Sequence, residues 1–193
     1  FNFTPKYQLF VESQVHTYEP ISNIQEFLFR PFLNYNVNKQ FLVGLGLEYH
    51  NNWSYDTDRD QKTRETGFTI TPQVELFQNI DRVAIGHRYR YEIRTIDGEH
   101  SERMRYRIQL GIPFSGTSVD KGEFSATMGT EIFVNTQQEF SLNQNQTYLM
   151  VGYQFTKSLN FEFGYMRLFM AAKEDENRLQ FFLTQKLSFY AQE

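Results

Sequence analysis

Arginine and glutamate recur at every second position in the middle of the chain, notably over 88–92 and 103–107. On an extended strand, side chains two residues apart point to the same face. These charges therefore share one face, where arginine and carboxylate groups can neutralise each other away from water. The residues expected to do so, which we call the Arg/Glu network, are Arg30, Glu48, Glu75, Arg88, Arg90, Glu92, Arg103, Arg105, Arg107 and Glu131.

Pairing consecutive strands through their connecting turns places Arg105 beside both Glu92 and Glu131. We expect Arg105 to be the centre of a salt-bridged plug that fills the lumen of a small barrel. Such a plug leaves little free cross-section, and it requires no cofactor and no metal ion.

An envelope hydrolase that acts on lipid or peptide at the barrel rim is the alternative interpretation of the ionisable residues. Asp56, Asp58 and Asp60 fall in the longest predicted connection, and Asp97 and His100 fall in another. A protease with paired aspartates would carry them at strand ends, whereas these residues lie at loop tips. The D-x-D-x-D spacing also begins like a calcium loop but lacks its glycine and distal glutamate, so no metal site is predicted.

Two histidines are further candidates for acid–base chemistry. His87 falls on the apolar face, where a lipid hydrolase would need a neighbouring serine, and no serine stands two residues away. His50 falls on the polar face near Glu26 and Glu48, where we expect a hydrogen-bond donor rather than a catalytic base.

The elements that position these residues are strands, because apolar and polar residues alternate with period two for long stretches. Short connections alternate with longer ones such as 52–64, and transmembrane barrels show this asymmetry between periplasmic turns and outer loops. Pro31 and Pro72 fall inside strands and predict bulges. The ten predicted strands cover 6–15, 24–36, 41–51, 65–77, 82–95, 102–114, 123–135, 146–156, 160–170 and 177–190.

Glycine indicates which face is inside. A crowded concave interior needs small residues beside long ones, whereas an exterior does not. The in-strand glycines fall on the polar face, and they are Gly44, Gly46, Gly86, Gly111, Gly129, Gly152 and Gly164. The polar face is therefore predicted to be inside and the apolar face to contact lipid, in a transmembrane antiparallel up-and-down β-barrel of ten strands.

Composition is consistent with a single domain over 1–193 and excludes several classes of protein. The chain has no cysteine, which excludes disulfides and thiolate metal sites. Its net charge of −4 is dispersed and offers no basic stripe for nucleic acid.

No apolar run approaches roughly 18 residues, so no membrane helix is expected. No basic-then-apolar segment begins the chain, so no signal peptide is expected and an exported protein would be represented by its mature part.

The segments Arg88-Tyr89-Arg90-Tyr91-Glu92, Arg103-Met104-Arg105-Tyr106-Arg107 and Glu131-Ile132-Phe133-Val134-Asn135, with the strand rhythm around them, carry a resemblance. The chain resembles a family of small outer-membrane barrels, common in Bacteroidota, that is catalogued only as a domain of unknown function. The resemblance implies the fold and the location and lends no catalytic residues.

We therefore expect a multi-pass protein of the cell outer membrane that contacts membrane lipid and lipopolysaccharide and does not bind nucleic acid. Two function classes stay open. The first is a non-catalytic barrel that serves as a structural element, an accessory subunit in a complex with other outer-membrane proteins, or a narrow channel. The second is the envelope hydrolase.

Overall fold

Ten antiparallel strands in up-and-down order form one sheet that curls into a half-barrel. A computed structural model of the chain describes residues 1–19, 22–55, 61–137, 139–172 and 174–190. The all-β prediction with ten strands is confirmed. The strands are β1 (Tyr7–Glu19), β2 (Ser22–Asn36), β3 (Phe41–Tyr55), β4 (Lys62–Ile80), β5 (Val83–Ile96), β6 (Glu99–Pro113), β7 (Phe124–Asn135), β8 (Ser141–Gln154), β9 (Leu159–Met170) and β10 (Glu176–Gln185). Within these ranges no helix is long and apolar enough to cross a membrane.

Several strands extend beyond their predicted ends, mostly at the end expected to carry long loops, although β4 also continues to Ile80 at the end expected to carry short turns. β3 continues to Tyr55, opposite Lys62 of β4, because main-chain pairing does not require an apolar face. The expected contrast between short turns and longer outer loops is therefore wrong. Only residues 97–98 separate β5 from β6 at the predicted long-loop end, whereas 114–123, at the predicted short-turn end, is the longest connection.

The connections at both ends are held by local hydrogen bonds and backbone geometry. Asp97 (φ 48°) and Gly98 (φ 88°) both adopt left-handed backbone conformations, as a two-residue hairpin turn of type I′ requires. In the connection 114–123, the carboxylate of Glu123 accepts hydrogen bonds from the Asp120 N–H (2.9 Å) and the Ser115 hydroxyl (2.8 Å). These two hydrogen bonds hold the pKa of Glu123 below its ordinary value.

The bulges predicted at Pro31 and Pro72 are wrong. Pro31 lies opposite Val11, and Pro72 lies opposite Leu45, with no shift of register. Because proline lacks an N–H, the pairing is interrupted with the strand on its other side, which is β3 for Pro31 and β5 for Pro72. The same register resumes beyond each interruption. The register shifts instead between His16 and Thr17 and between residues 133 and 134.

The two faces of the sheet differ in polarity and in exposure. The concave face is polar and buried, with Glu92 only 1% exposed. The convex face is apolar and exposed, with Leu47 57% and Phe68 63% exposed. The prediction that the polar face lies inside the curve of the sheet is confirmed.

Most concave-face glycines make room for a neighbouring side chain. A Cβ atom on Gly46 would lie 2.3 Å from Cε1 of Phe32, whose ring is fully buried. The space beside Gly129 is occupied in the same way by the hydroxyl of Tyr148, which lies 2.5 Å from the position of an added Cβ atom. Gly86 is an exception, because the atom nearest to its added Cβ position is 4.0 Å away in Phe77.

A seam separates the edge strands β1 and β10: in the described ranges no ladder joins them, and no Cα atom of one strand lies within 8 Å of a Cα atom of the other. At one end, Asn2 bridges the seam: its N–H donates to the carbonyl of Leu187 (2.7 Å), and its carbonyl accepts from the N–H of Phe189 (2.9 Å). At the other end, Nη1 of Arg178 lies 3.3 Å from Nδ1 of His16. Main-chain bonds and side-chain contacts near the termini, together with the contact between His16 and Arg178 at the other end, therefore span the gap.

Replacing Gly46 by alanine should destabilise the fold, because the buried ring of Phe32 must move to admit the methyl group. We expect Gly46→Ala to lower the free energy of unfolding by about 1–3 kcal/mol, as overpacking does elsewhere. Urea unfolding of the refolded protein would measure the change. Gly86→Ala is the matched control, because its methyl group would enter open space. Equal stability of the two variants would contradict the packing argument.

Candidate functional site

The centre of the Arg/Glu network is Arg105 on β6. Nη1 of Arg105 lies 2.6 Å from Oε1 of Glu92 on β5, and its Nε lies 3.0 Å from Oε1 of Glu131 on β7. Neither carboxylate is directly opposite Arg105, since Glu92 pairs with Arg103 and Glu131 with Arg107. The long arginine side chain reaches both diagonally, which is a normal distance in an antiparallel sheet. Both contacts expected from the sequence are present.

Each of these two glutamates is shared with a second arginine. Nε of Arg103 donates to Oε2 of Glu92 at 2.7 Å, and Nη2 of Arg88 lies 3.1 Å from Oε1 of Glu131. Five alternating charges therefore form one continuous row along the concave face. The row is deeply buried, with Glu131 only 4% exposed, so each charge depends on its neighbours for stabilisation.

A second group of charges lies on β1, β2 and β3. Nε of Arg30 contacts Oε2 of Glu48 at 2.5 Å, and its Nη1 contacts Oε2 of Glu12 at 3.2 Å. His50 is buried, as expected, and its Nδ1 lies 3.5 Å from Oε1 of Glu48.

Glu26, which the sequence placed near His50, forms its ion pair with a different histidine. Oε2 of Glu26 lies 2.7 Å from Nδ1 of His16, the residue at the seam.

Arg90 lies between the two groups of charges. Its Nε donates to Oε1 of Gln73 at 2.9 Å, and Nε2 of Gln73 donates in turn to Oδ1 of Asn34 at 2.9 Å. The guanidinium also lies 4.4 Å from the ring centroid of Phe32. Arg90 thereby connects β5 to β4 and β2 across the concave face.

Two buried phenyl rings support the arginines, and the sequence analysis missed both. The guanidinium of Arg105 lies 4.2 Å, and that of Arg103 4.8 Å, from the ring centroid of Phe133. Phe32 supports Arg90 in the same manner, and such cation–π contacts gain strength when water is excluded. The sequence does carry a signal for both rings. Phe32 stands two residues from Arg30, and Phe133 two residues from Glu131, so each phenylalanine falls on the polar face of its strand.

Two predicted members stay outside the network. Glu75 and Arg107 form no hydrogen bond and no ion pair with any residue that the structure describes. They lie on neighbouring parts of the concave face and line the same open cavity near the β4–β5 turn. The structure thus brings together the other eight of the ten expected residues and leaves these two apart.

Asp97 and His100, the described loop residues proposed for a hydrolase, do not pair with each other. Oδ1 of Asp97 accepts a hydrogen bond from the N–H of Thr66 at 2.9 Å, a contact that stabilises the hairpin turn. His100 is exposed, and its Nε2 lies 3.4 Å from Oε1 of Glu102. Asp56, Asp58 and Asp60 lie outside the described residues. Among the residues that are described, no three acidic or histidine side chains are placed to hold a metal ion.

His87 lies on the convex face, as expected. Its Nδ1 is 2.9 Å from the hydroxyl of Tyr106, and the two rings stack with centroids 6.2 Å apart. The partner of this histidine is thus a tyrosine rather than a serine nucleophile.

The fold and the site together define an all-β half-barrel with a buried network of ion pairs. A family model described as "Protein of unknown function (DUF2490)" matches residues 1–185, so the chain belongs to this family. No curated protein and no solved structure matches the chain.

Removing the central arginine should strongly destabilise the half-barrel. Arg105→Met leaves Glu92 and Glu131 without their shared partner, and an uncompensated buried charge costs about 3–5 kcal/mol. Replacing all three residues by apolar groups of matched volume should cost much less. Denaturant unfolding of the single and triple variants would measure both effects.

The matched control is Arg107→Met, the same substitution two residues along the same face of β6. Arg107 has no ion pair with the described residues, so a smaller loss of stability is expected. If the two single variants lost equal stability, the ion pairs of Arg105 would not be the cause.

Proposed function

We propose that this protein is a non-catalytic barrel of the bacterial outer membrane, with a plugged lumen, that acts as a structural element or as an accessory subunit of an outer-membrane complex. The observation that carries the proposal is the exposed apolar convex face. Large apolar patches on a monomer mark contact with a membrane or with another protein. Here the apolar face extends over all ten strands, and lipid is the partner that would cover every side of a barrel.

Aromatic contacts on the convex face support a membrane-embedded arrangement. Transmembrane barrels carry girdles of aromatic residues at both interfaces. At the end with the 114–123 connection, Phe124 packs against Tyr153 with ring centroids 4.8 Å apart. Toward the opposite end, eight residues along β3 from Phe41, Tyr49 packs against Phe68 with ring centroids 5.1 Å apart. The apolar belt between these clusters would face the hydrocarbon core, with lipid and lipopolysaccharide as its neighbours.

Lipid does not accept unpaired strand edges, so the proposal requires that β1 and β10 pair in the membrane. The contact between His16 and Arg178 supports one antiparallel register for this pairing. In that register Val15 lies opposite Leu179, and polar side chains meet on the concave side while apolar ones meet on the convex side. The proposed barrel is therefore continuous in polarity around its whole circumference.

The contents of the concave face favour a structural role over conduction. The two groups of ion pairs and the rings of Phe32 and Phe133 occupy the space through which a solute would pass. An interior filled in this way stabilises a small barrel. This packing is the reason to prefer a structural or accessory role to a channel.

The lipid contact can be tested with single spin labels, because the chain has no cysteine of its own. In phospholipid vesicles, labels on the convex face should be accessible to oxygen and shielded from a water-soluble nickel chelate. A label at Arg107→Cys, in the concave cavity, should show the opposite preference. Failure to insert into vesicles, or inverted accessibilities, would refute the proposal. The sites expected to face lipid are Phe27, Phe29, Leu45, Leu47, Ile70, Val74, Ile85, Ile108 and Leu149.

Closure of the seam can be tested by disulfide formation in the same vesicles. The double variant Val15→Cys with Leu179→Cys should cross-link under mild oxidation, because directly opposed residues meet the distance that a disulfide needs. Gel mobility without reductant would report the bond. The control pairs Val15→Cys with Leu183→Cys, which lies on the same face of β10 but four residues away. Cross-linking of the control pair alone, or of neither pair, would contradict the proposed closure.

A further inference from the structure

A cavity of about 180 Å³ opens on the concave face where β4, β5 and β6 approach the β4–β5 turn. A second hollow of about 490 Å³ adjoins it and is bordered by the connection 114–123. The two share Asn79, Ala84 and Gly111 as lining residues. Side chains leave this part of the concave face unfilled.

Small residues keep the cavity open. A Cβ atom on Gly111 would find its nearest neighbour, the Cβ of Ala84, 3.8 Å away, and one on Gly86 would find only Phe77 at 4.0 Å. Elsewhere on this face the glycine positions are filled by a neighbour, as Gly46 is by Phe32. At Gly86 and Gly111, therefore, no other protein atom occupies the space that a side chain would take.

Two arginines line this cavity with unused hydrogen-bonding capacity. Arg107 has no hydrogen-bond or ion-pair partner among the described residues. Arg88 contacts Glu131 through Nη2, but its buried Nε has no partner in the described chain. Glu131 lies directly opposite Arg107 on β7, but its hydrogen bonds go to Arg88 and Arg105, so it neutralises Arg107 only in part.

The local charge balance is positive. On β4 to β7 the Arg/Glu network holds five arginines against three glutamates. One of these glutamates, Glu75, also lines the cavity, and it forms no ion pair with the described arginines. Two arginines and one glutamate line the cavity, and Glu131, outside the lining, is shared between Arg88 and Arg105, so an excess positive charge faces the open space.

We infer that this cavity binds an oxyanion, namely the phosphate or carboxylate group of a small polar solute. The planar guanidinium groups of Arg88 and Arg107 suit such groups, since arginine binds phosphate and carboxylate through paired N–H donors. Gln109 offers a further donor: its Oε1 accepts the hydroxyl of Tyr148 at 2.8 Å, and its amide nitrogen has no acceptor among the described residues. This inference goes beyond the proposed function and rests on the concave face alone, so it stands whether or not the convex face contacts lipid.

Calorimetric titration of the purified protein in detergent with inorganic phosphate, and separately with succinate, tests the inference. We expect saturable binding of at least one of the two anions, and the more tightly bound probe identifies the preferred group. Arg107→Gln should weaken that binding by at least about tenfold, because a charge-assisted hydrogen bond is lost. Arg94→Gln is the matched control, since it removes the same charge from the concave face of β5 outside the cavity lining.

Gly111→Val tests the cavity independently of its charge. Its side chain would enter the open space and should abolish binding, while circular dichroism should show an intact sheet. Absence of saturable binding with both anions would overturn the inference. The inference would also be overturned if Arg94→Gln weakened anion binding as much as Arg107→Gln does. Unchanged binding in Gly111→Val would overturn it as well, because either result would show that the anion does not bind in this cavity.

Discussion

The rest of the structure depends on the burial of Arg105 between Glu92 and Glu131. A slip of one residue between β5 and β6 would turn the apolar side chains to the concave face and expose the charges. A slip of two residues would keep the faces but separate Arg105 from its present partners. Hydrophobic patterning excludes the first error. The second would give Arg103 or Arg107 the central position, so the contacts of Arg105 with both glutamates belong to the present register alone.

The alternation in the sequence was enough to predict which residues share a face and that Arg105 reaches both carboxylates. It could not locate the start of β4, because residues 62–66 are polar on both faces of the strand and nevertheless continue the ladder with β3. The Asp97-Gly98 dipeptide is a strong hairpin signal that could have located the short turn between β5 and β6. The support of Arg90 by Phe32 joins strands that are not neighbours, so no local pattern reveals it.

Glycine has two opposite roles on the concave face, and only geometry separates them. Gly46 and Gly129 are small because a large neighbour occupies their space, so they contribute to a solid interior. Gly86 and Gly111 are small although nothing occupies their space, so they contribute to a cavity. The sequence shows the same residue on the same face in both cases. Whether the space beside a glycine is filled or empty depends on the side chain directly opposite on the neighbouring strand.

The two faces of the sheet require different surroundings, and this difference determines what the seam between β1 and β10 must do. Most concave charges pair with one another, whereas Glu75 and Arg107 face the open cavity. The convex face is covered by no other part of the chain that the structure describes and would be stable against hydrocarbon. A sheet with one face in hydrocarbon cannot leave its edge N–H and C=O groups unpaired. The bonds that Asn2 makes to residues 187 and 189 begin to meet that requirement at one end of the seam. Pairing of β1 with β10 would complete it along the rest.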